Sequence, residues 1–340
     1  MKVGIWSYPG LFQSSGGLQN QILETKKALL ALGCSVRYID LYNDNLSDFD
    51  LIHIFSAAHG NHTIARLIRN KGIPYIVSPV LQAYWSNGFG RLVKASSWLI
   101  GLLSKWRMRT EYDHYLSCLT MASHVVALGH REKEALANCF GIKEDKCEVI
   151  PNGIAERFFV GDDRVFLDKY KIKAGFVLCV GLIGEWKNQA MVAEAAQQLG
   201  LDVVLIGACK KEDQEYLKRL ESMPNVNYLG VLPYESELLA SAYAAAGVLC
   251  LPSISEVMPM TVLESLASGT PAVVTKNNSM DLVCDGLFFV DPESITEVAE
   301  AIDKAINLSL AKEDISRGVS QLRWEFVAQK LMDIYLRYVK

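Results

Sequence analysis

The 340-residue chain contains no Cys-x-x-Cys pair, no repeat of short period, no low-complexity tract and no apolar run long enough to cross a bilayer. These absences exclude zinc ribbons, thioredoxin-like redox motifs, solenoids and polytopic membrane proteins. The eight cysteines lie far apart and read as reduced core thiols of a cytoplasmic protein. A formal net charge of −4 gives no electrostatic footprint for nucleic acid. The opening MKVGIWSYPG has one lysine and no signal-length apolar run, so it is expected to be a buried strand rather than a signal peptide. With half its residues hydrophobic and 21% charged, the chain has enough apolar mass for two domains with full cores.

Short apolar runs alternate with helical stretches, the pattern of parallel sheets built from βαβ units. The first half predicts strands at Lys2–Ser7, Ser35–Asp40, Leu51–Phe55, Tyr75–Ser78, His124–Ala127 and Cys147–Ile150. The second half predicts them at Gly175–Val180, Asp202–Ile206, Val226–Leu229, Gly247–Leu251, Ala272–Thr275 and Leu287–Val290. Two tandem doubly wound domains follow. The seam is placed within Ile150–Lys173, where Pro151-Asn152-Gly153 makes a turn and a charged stretch precedes the next strand. The last helix, Gln321–Val339, spaces Leu322, Phe326, Leu331, Ile334, Tyr335 and Val339 for one buried face.

The densest chemistry lies in Pro252–Thr275, PSISEVMPMTVLESLASGTPAVVT. Pro259 opens a helix over Met260–Ser268, Gly269 is placed for a left-handed C-terminal residue, and Pro271 forbids continuation. The N–H groups of Met260, Thr261 and Val262 then lack intrahelical acceptors and face outward at the positive end of the helix dipole, which suits a phosphate. One turn further in, Glu264 can accept hydroxyls of a ribose, and Glu256 on the preceding loop can reach another polyol.

This segment resembles the signature of the large retaining glycosyltransferase family with the GT-B fold (family 4), through Ser255-Glu256, Pro259, Leu263-Glu264, Ala267, Gly269, Pro271 and Val273-Val274. The resemblance implies that Glu256 contacts the donor sugar and Glu264 the nucleotide ribose. A second match, Val180-Gly181-Leu182-Ile183-Gly184-Glu185-Trp186-Lys187-Asn188, is similar to the family's V-G-R-L-x-x-x-K-N, whose arginine and lysine bind the diphosphate. Gly181, Lys187 and Asn188 conform; Leu182 replaces the arginine and offers no charge-assisted hydrogen bond, ordinarily worth about 1.5–3 kcal/mol. Gly16-Gly17 resembles the family's glycine loop after the first strand, expected to touch the donor phosphates from the first domain. Val226–Leu232 and Leu249–Ser253 are similar to family strands that cradle the nucleobase. Near Val80, in the stretch Ser78-Pro79-Val80-Leu81, the family's histidine and Arg-Gly are both missing, although Ser78-Pro79 and Trp85-Ser86 resemble the surface-polysaccharide branch. No catalytic histidine is therefore assigned; His53 and His59 are the nearest candidates, each more readily a structural hydrogen-bonding residue.

The implied architecture is two Rossmann-like domains with a central cleft: an acceptor-binding domain over 1–155, joined by a C-terminal helix at about 321–340 that crosses back to it, and a donor-binding domain over 170–320. The implied reaction moves a sugar from a nucleotide-diphosphate-sugar, with retention, to a saccharide or lipid-linked acceptor in surface polysaccharide or glycolipid synthesis, with Glu256 and Lys187 as catalytic residues. No metal or cofactor is expected. The alternatives are a GT-B scaffold that binds nucleotide or partner without turnover, and a nucleotide-sugar epimerase. Phe89–Arg109 sets Trp98, Leu99, Leu102, Leu103 and Trp106 among Arg91, Lys94, Lys105, Arg107 and Arg109. Two readings stand for it: contact with an anionic membrane surface, or a helix packed on the first sheet with its charges reaching outward.

Overall fold

The structure, a computed structural model, describes residues 1–340 apart from Ser14, Ser15, Ser86, Trp106 and Lys340, and the side chain of Asn87 is likewise left undescribed. Two residues of the sequence reading, Ser86 and Trp106, thus lie outside the described residues.

The chain forms two compact units. One comprises Met1–Gly153, Ser279–Asp281 and the chain from Trp324 onward; the other comprises Ile154–Asn278 and Leu282–Arg323. Each is built on a six-stranded parallel sheet. In the first unit β1 (Lys2–Trp6), β2 (Ser35–Tyr38), β3 (Leu51–Phe55), β4 (Tyr75–Ser78), β5 (His124–Ala127) and β6 (Cys147–Val149) run in the order β2-β1-β3-β4-β5-β6. In the second, β7 (Val177–Val180), β8 (Val203–Ile206), β9 (Val226–Tyr228), β10 (Val248–Leu251), β11 (Ala272–Thr275) and β12 (Leu287–Val290) run in the order β12-β11-β10-β7-β8-β9. All twelve expected strands are present, several one or two residues shorter. The central strands are buried on both faces, which is why their sequences read as apolar runs such as Val-Leu-Cys-Leu and Leu-Ile-His-Ile-Phe, the latter broken only by His53. Six cysteines are buried in these cores, and burial pushes the thiols of Cys118, Cys147 and Cys179 up to about 12, so they stay protonated.

The two sheets differ in strand order. Read outward from its first strand, the second unit is 3-2-1-4-5-6 and its winding reverses between β7 and β10; in the first unit it reverses between β1 and β3. At such a point the helices that follow the two strands go to opposite faces of the sheet, which opens a crevice beyond the C-terminal strand ends.

The last helix runs Trp324–Tyr338 and packs on the helix Gly17–Ala31 of the first unit. Its buried face is Trp324, Val327, Ala328, Leu331, Ile334 and Tyr335, while Phe326, expected inside, is 49% exposed. The helix begins three residues later than expected, after a short 3₁₀ turn at Ser320–Leu322; Leu331, Ile334 and Tyr335 keep the expected face, and Phe326, five positions before Leu331, falls on the far side of a 3.6-residue helix. Three polar links fasten it: the Tyr335 hydroxyl and His53 Nδ1 lie 2.6 Å apart, Tyr338 is hydrogen-bonded to His124 Nδ1, and Arg337 pairs with Glu148. Gly153, just before the chain leaves the first unit, has no room for a Cβ, which would stand 2.3 Å from the Trp324 ring.

Candidate functional site

The two segments with the most conspicuous motifs meet at the switch point of the second unit. β7 and β10 are paired neighbours, Leu178 opposite Leu249, so the loops leaving their C-terminal ends emerge side by side. After β7 the chain turns through Gly181–Gly184 into a 3₁₀ turn at Glu185–Lys187 and then the helix Gln189–Gln198. After β10 it runs through Pro252–Pro259 into the helix Met260–Ala267. Two hydrogen bonds join these loops: Ile254 N–H donates to the Trp186 carbonyl at 3.0 Å, and Trp186 Nε1–H to the Ser255 carbonyl at 3.1 Å.

That register brings Lys187 and Glu256 together. The Lys187 ammonium donates directly to Glu256 Oε1, with the side chains 24% and 12% exposed. Glu256 is held at its backbone by an N–H bond to the Asn277 carbonyl, 2.9 Å. The Lys187 stem lies over Gly181, where an added Cβ would stand 3.6 Å from Cε. An ammonium has three donors, and the bond to Glu256 leaves two for an anion. Gly207, on the loop after β8, permits the close approach of this turn: its φ is 157° and a Cβ there would sit 1.8 Å from the Gly181 carbonyl oxygen.

The helix Met260–Ala267 starts at Pro259, which supplies no side-chain cap. Val262, expected to offer a free N–H, instead donates to the Pro259 carbonyl at 3.2 Å, because the first turn is tightened; the outward-facing amides are thus those of Met260 and Thr261. Three hydroxyls flanking this start, Ser253 Oγ, Ser255 Oγ and Thr261 Oγ1, are buried with no protein partner. Buried hydroxyls are nearly always satisfied, so such a cluster points to polar atoms supplied from outside. The sequence names Thr261 for its amide, and Ser255 and Ser253 as parts of matching stretches, but does not single out their hydroxyls.

Glu264 and Asn188 each have protein partners beside this helix start. Glu264 is 3% exposed, and its Oε2 accepts the Tyr243 hydroxyl at 2.7 Å. Burial and the adjacent carboxylate hold the Tyr243 phenol well above its usual range, so it stays a neutral donor. Asn188, with φ 58°, donates its amide to the Pro252 and Pro292 carbonyls at 3.2 and 2.8 Å. It thereby ties the loops after β10 and β12 to the turn, and only its Oδ1 is left to meet a ligand. Leu182 is 37% exposed and, with Gly184, Trp186, Lys187, Lys210 and Tyr216, lines a cavity of about 570 Å³. A second cavity of about 460 Å³, near Asp163 and Lys312, contains none of the expected residues.

Gly16 and Gly17 lie in the first unit. Gly17 opens the helix Gly17–Ala31, Gly16 is its extended N-terminal residue without a side-chain cap, and a Cβ at either would meet open space. His53 is fully buried between Tyr335 and Ser78, with Nε2 2.9 Å from Ser78 Oγ. Burial pushes it down to about 3, so it is a neutral packing residue. His59, at φ 54°, packs against Tyr8 with the rings tilted by 49° and their centroids 4.3 Å apart. No group of three or more His, Cys, Asp or Glu suited to a metal occurs among the described residues.

The solved structures that resemble this fold include Anabaena Alr3699/HepE in complex with UDP, with a TM-score of 0.74 over 99% of this chain and 100% of that one at 16% identity. Two doubly wound parallel sheets and a crossing C-terminal helix define the GT-B class. The chain belongs to the GT-B glycosyltransferases: residues 166–319 match the family described as glycosyl transferases group 1, and residues 29–157 match Glycosyltransferase Family 4. Among curated relatives, an uncharacterized glycosyltransferase of Methanocaldococcus jannaschii is 24% identical over 65% of this chain. The O-antigen chain mannosyltransferase RfbU of Salmonella typhimurium is 24% identical over 62%. The matched stretches span 60% and 58% of those relatives' own length.

Proposed function

We propose that the protein transfers a hexosyl group from a nucleotide-diphosphate-sugar to a saccharide or lipid-linked saccharide acceptor, with retention, in the synthesis of a surface polysaccharide or glycolipid on the cytoplasmic side of a membrane. The first unit would hold the acceptor and the second the donor. The observation that carries this reading is the Lys187–Glu256 pair at the switch point, beside an uncapped helix start and three unpartnered buried hydroxyls. One relative named as an O-antigen chain mannosyltransferase and a structural neighbour solved in complex with UDP support it.

In this reading the diphosphate lies against the Met260 and Thr261 amides and the two remaining donors of Lys187. The bond between the anomeric carbon and the departing phosphate oxygen breaks while the acceptor oxygen approaches the same face, and the acceptor's proton passes to that phosphate oxygen. Lys187 and the helix dipole stabilise the growing negative charge without rearranging, the main source of rate in such sites. Glu256 orients the lysine and accepts a sugar hydroxyl. Glu264, the residue that the family resemblance assigns to the ribose, is held by its bond to the Tyr243 hydroxyl. Leu182 favours one competing reading, a scaffold that binds nucleotide without turnover, because a diphosphate there meets one cation fewer.

The test is thermal unfolding against nucleoside diphosphates and nucleotide sugars, followed by product detection with the donor that stabilises. A ligand at about a hundred times its Kd should add ~2.7 kcal/mol. Lys187→Ala should raise that Kd at least tenfold, about 1.4 kcal/mol. Stabilisation without turnover across an acceptor panel would establish the scaffold, and an unchanged Kd in the variant would remove Lys187 from the site.

A further inference from the structure

The helix Asn87–Leu103 is inside out. At about 100° per residue, its buried stripe is Gly90, Ser97 and Gly101, all small, with Val93 partly buried at the margin. The large apolar side chains face away from the unit: Leu92 is 72% exposed, Trp98 58%, Leu99 50%, Leu102 51% and Leu103 76%. The inward stripe is held by close approach, since a Cβ at Gly90 would stand 2.2 Å from Cys139 Sγ, and by the Thr110 hydroxyl donating to Ser97 Oγ at 2.8 Å. A helix packed on the domain with its charges reaching outward would bury the leucines instead. Of 24 large hydrophobic side chains exposed among the described residues, nine fall between Tyr84 and Met108, so the patch is concentrated rather than scattered.

Charge identifies the occupant. Residues 51–110 contain none of the chain's 38 acidic residues and eight of its 34 basic ones, in a protein whose net charge is −4. Arg91 and Lys94 lie along the patch, and Lys105, Arg107 and Arg109 follow its C-terminal end. An exposed apolar arc that carries tryptophan and five cations, on a segment with no acidic residue of its own, matches the boundary of an anionic bilayer, where acyl chains take the apolar side chains and headgroups take the ammonium and guanidinium groups; the exposed acids on the helices packed against it are Glu111 and Glu134. No helix among the described residues is long and apolar enough to cross a membrane, so this one would lie in the plane of the interface. We infer that the face formed by the helix Asn87–Leu103 and the basic segment after it docks the first unit on an anionic lipid surface. The inference does not rest on the transferase reading.

It is tested with the full chain, no nucleotide, and vesicles of phosphatidylcholine alone or mixed 7:3 with phosphatidylglycerol. Co-sedimentation should favour the anionic vesicles at least tenfold and weaken by a similar factor in high salt, where exposed charges are screened. The double variant Leu99→Glu/Leu103→Glu places good helix formers at exposed positions, so it should keep the parent's unfolding midpoint while losing at least tenfold in binding. Equal partition onto both vesicle types would overturn the proposal. So would binding undiminished in the variant, or a concentration-dependent dimer that ignores vesicles, which would make the occupant a second copy.

Discussion

The two switch-point crevices of this molecule are built from different materials. In the second unit, the loops after β7 and β10 carry an ion pair, three unpartnered hydroxyls and a helix start with free amides. In the first, the loops after β1 and β3 carry a glycine pair, the ring pair Tyr8–His59, and three consecutive-region residues with positive φ: Ser56, His59 and Gly60. One crevice is specified by charge, and the other by backbone conformation and rings. In the proposed reading the second crevice meets a diphosphate, which makes the same demands in every nucleotide-sugar, so its residues form a motif; the first would meet an acceptor, which varies, and a crevice shaped by backbone can change partners without changing fold.

The contrast breaks first at Glu256. Glu256→Gln keeps a hydrogen-bond acceptor for Lys187 but removes the charge, and product formation should fall by about 10²–10³, the scale of losing one preorganised electrostatic group. Binding of the nucleoside diphosphate should change little. A rate near that of the parent would show that the pair only shapes the loop.

The first unit should respond to pH through a residue that does no chemistry. His53 is pushed from 6.5 to about 3 by burial, so the folded state resists its protonation. Its contribution to stability is complete above pH 6.5 and is lost as pH falls toward 3, by about 1.4 kcal/mol per pH unit in that window. Denaturant titrations from pH 7 to 4 should show this slope, and His53→Gln should lack it. Because the histidine fastens the C-terminal helix through Tyr335, the lost stability should appear as weakened hydrogen-exchange protection of Trp324–Tyr338.

The smallest effect sharpens the comparison. Leu182→Arg restores a cation to a half-exposed position beside Lys187 and should tighten nucleoside diphosphate binding by roughly three- to tenfold, within the range of one charge-assisted hydrogen bond. Tightening together with faster product formation would mean that the natural leucine limits the enzyme. Tightening alone would mean that ground-state binding was never limiting.

Much of the fold was legible in the residues. Buried parallel strands have to be unbroken apolar runs, and Gly269, Pro271 and Pro259 punctuate the helix Met260–Ala267 wherever it packs. The site was legible as a set of types but not as a set of partners. Glu264 is legible as a carboxylate near the helix start, but its partner Tyr243, twenty-one positions earlier, is not. Asn188 is legible as part of the Lys-Asn pair, but its amide bonds to the Pro252 and Pro292 carbonyls are not. The helix Asn87–Leu103 shows the same limit: its apolar residues were visible in the sequence, but their outward direction was not, since periodicity reveals that a helix has faces without saying which one packs.

The sequence by itself determined two doubly wound domains, the helix start after Pro259, and the residue types able to hold a diphosphate, because strand burial and helix termination act over a few neighbouring residues. Only the tertiary structure decided that Lys187 and Glu256 form one pair, that His53 is locked between Ser78 and Tyr335, and that the leucines of the helix Asn87–Leu103 face outward. Those outcomes depend on strand order and on which loops leave the sheet side by side. Both are settled by the packing of segments tens to hundreds of residues apart, where no local pattern reaches.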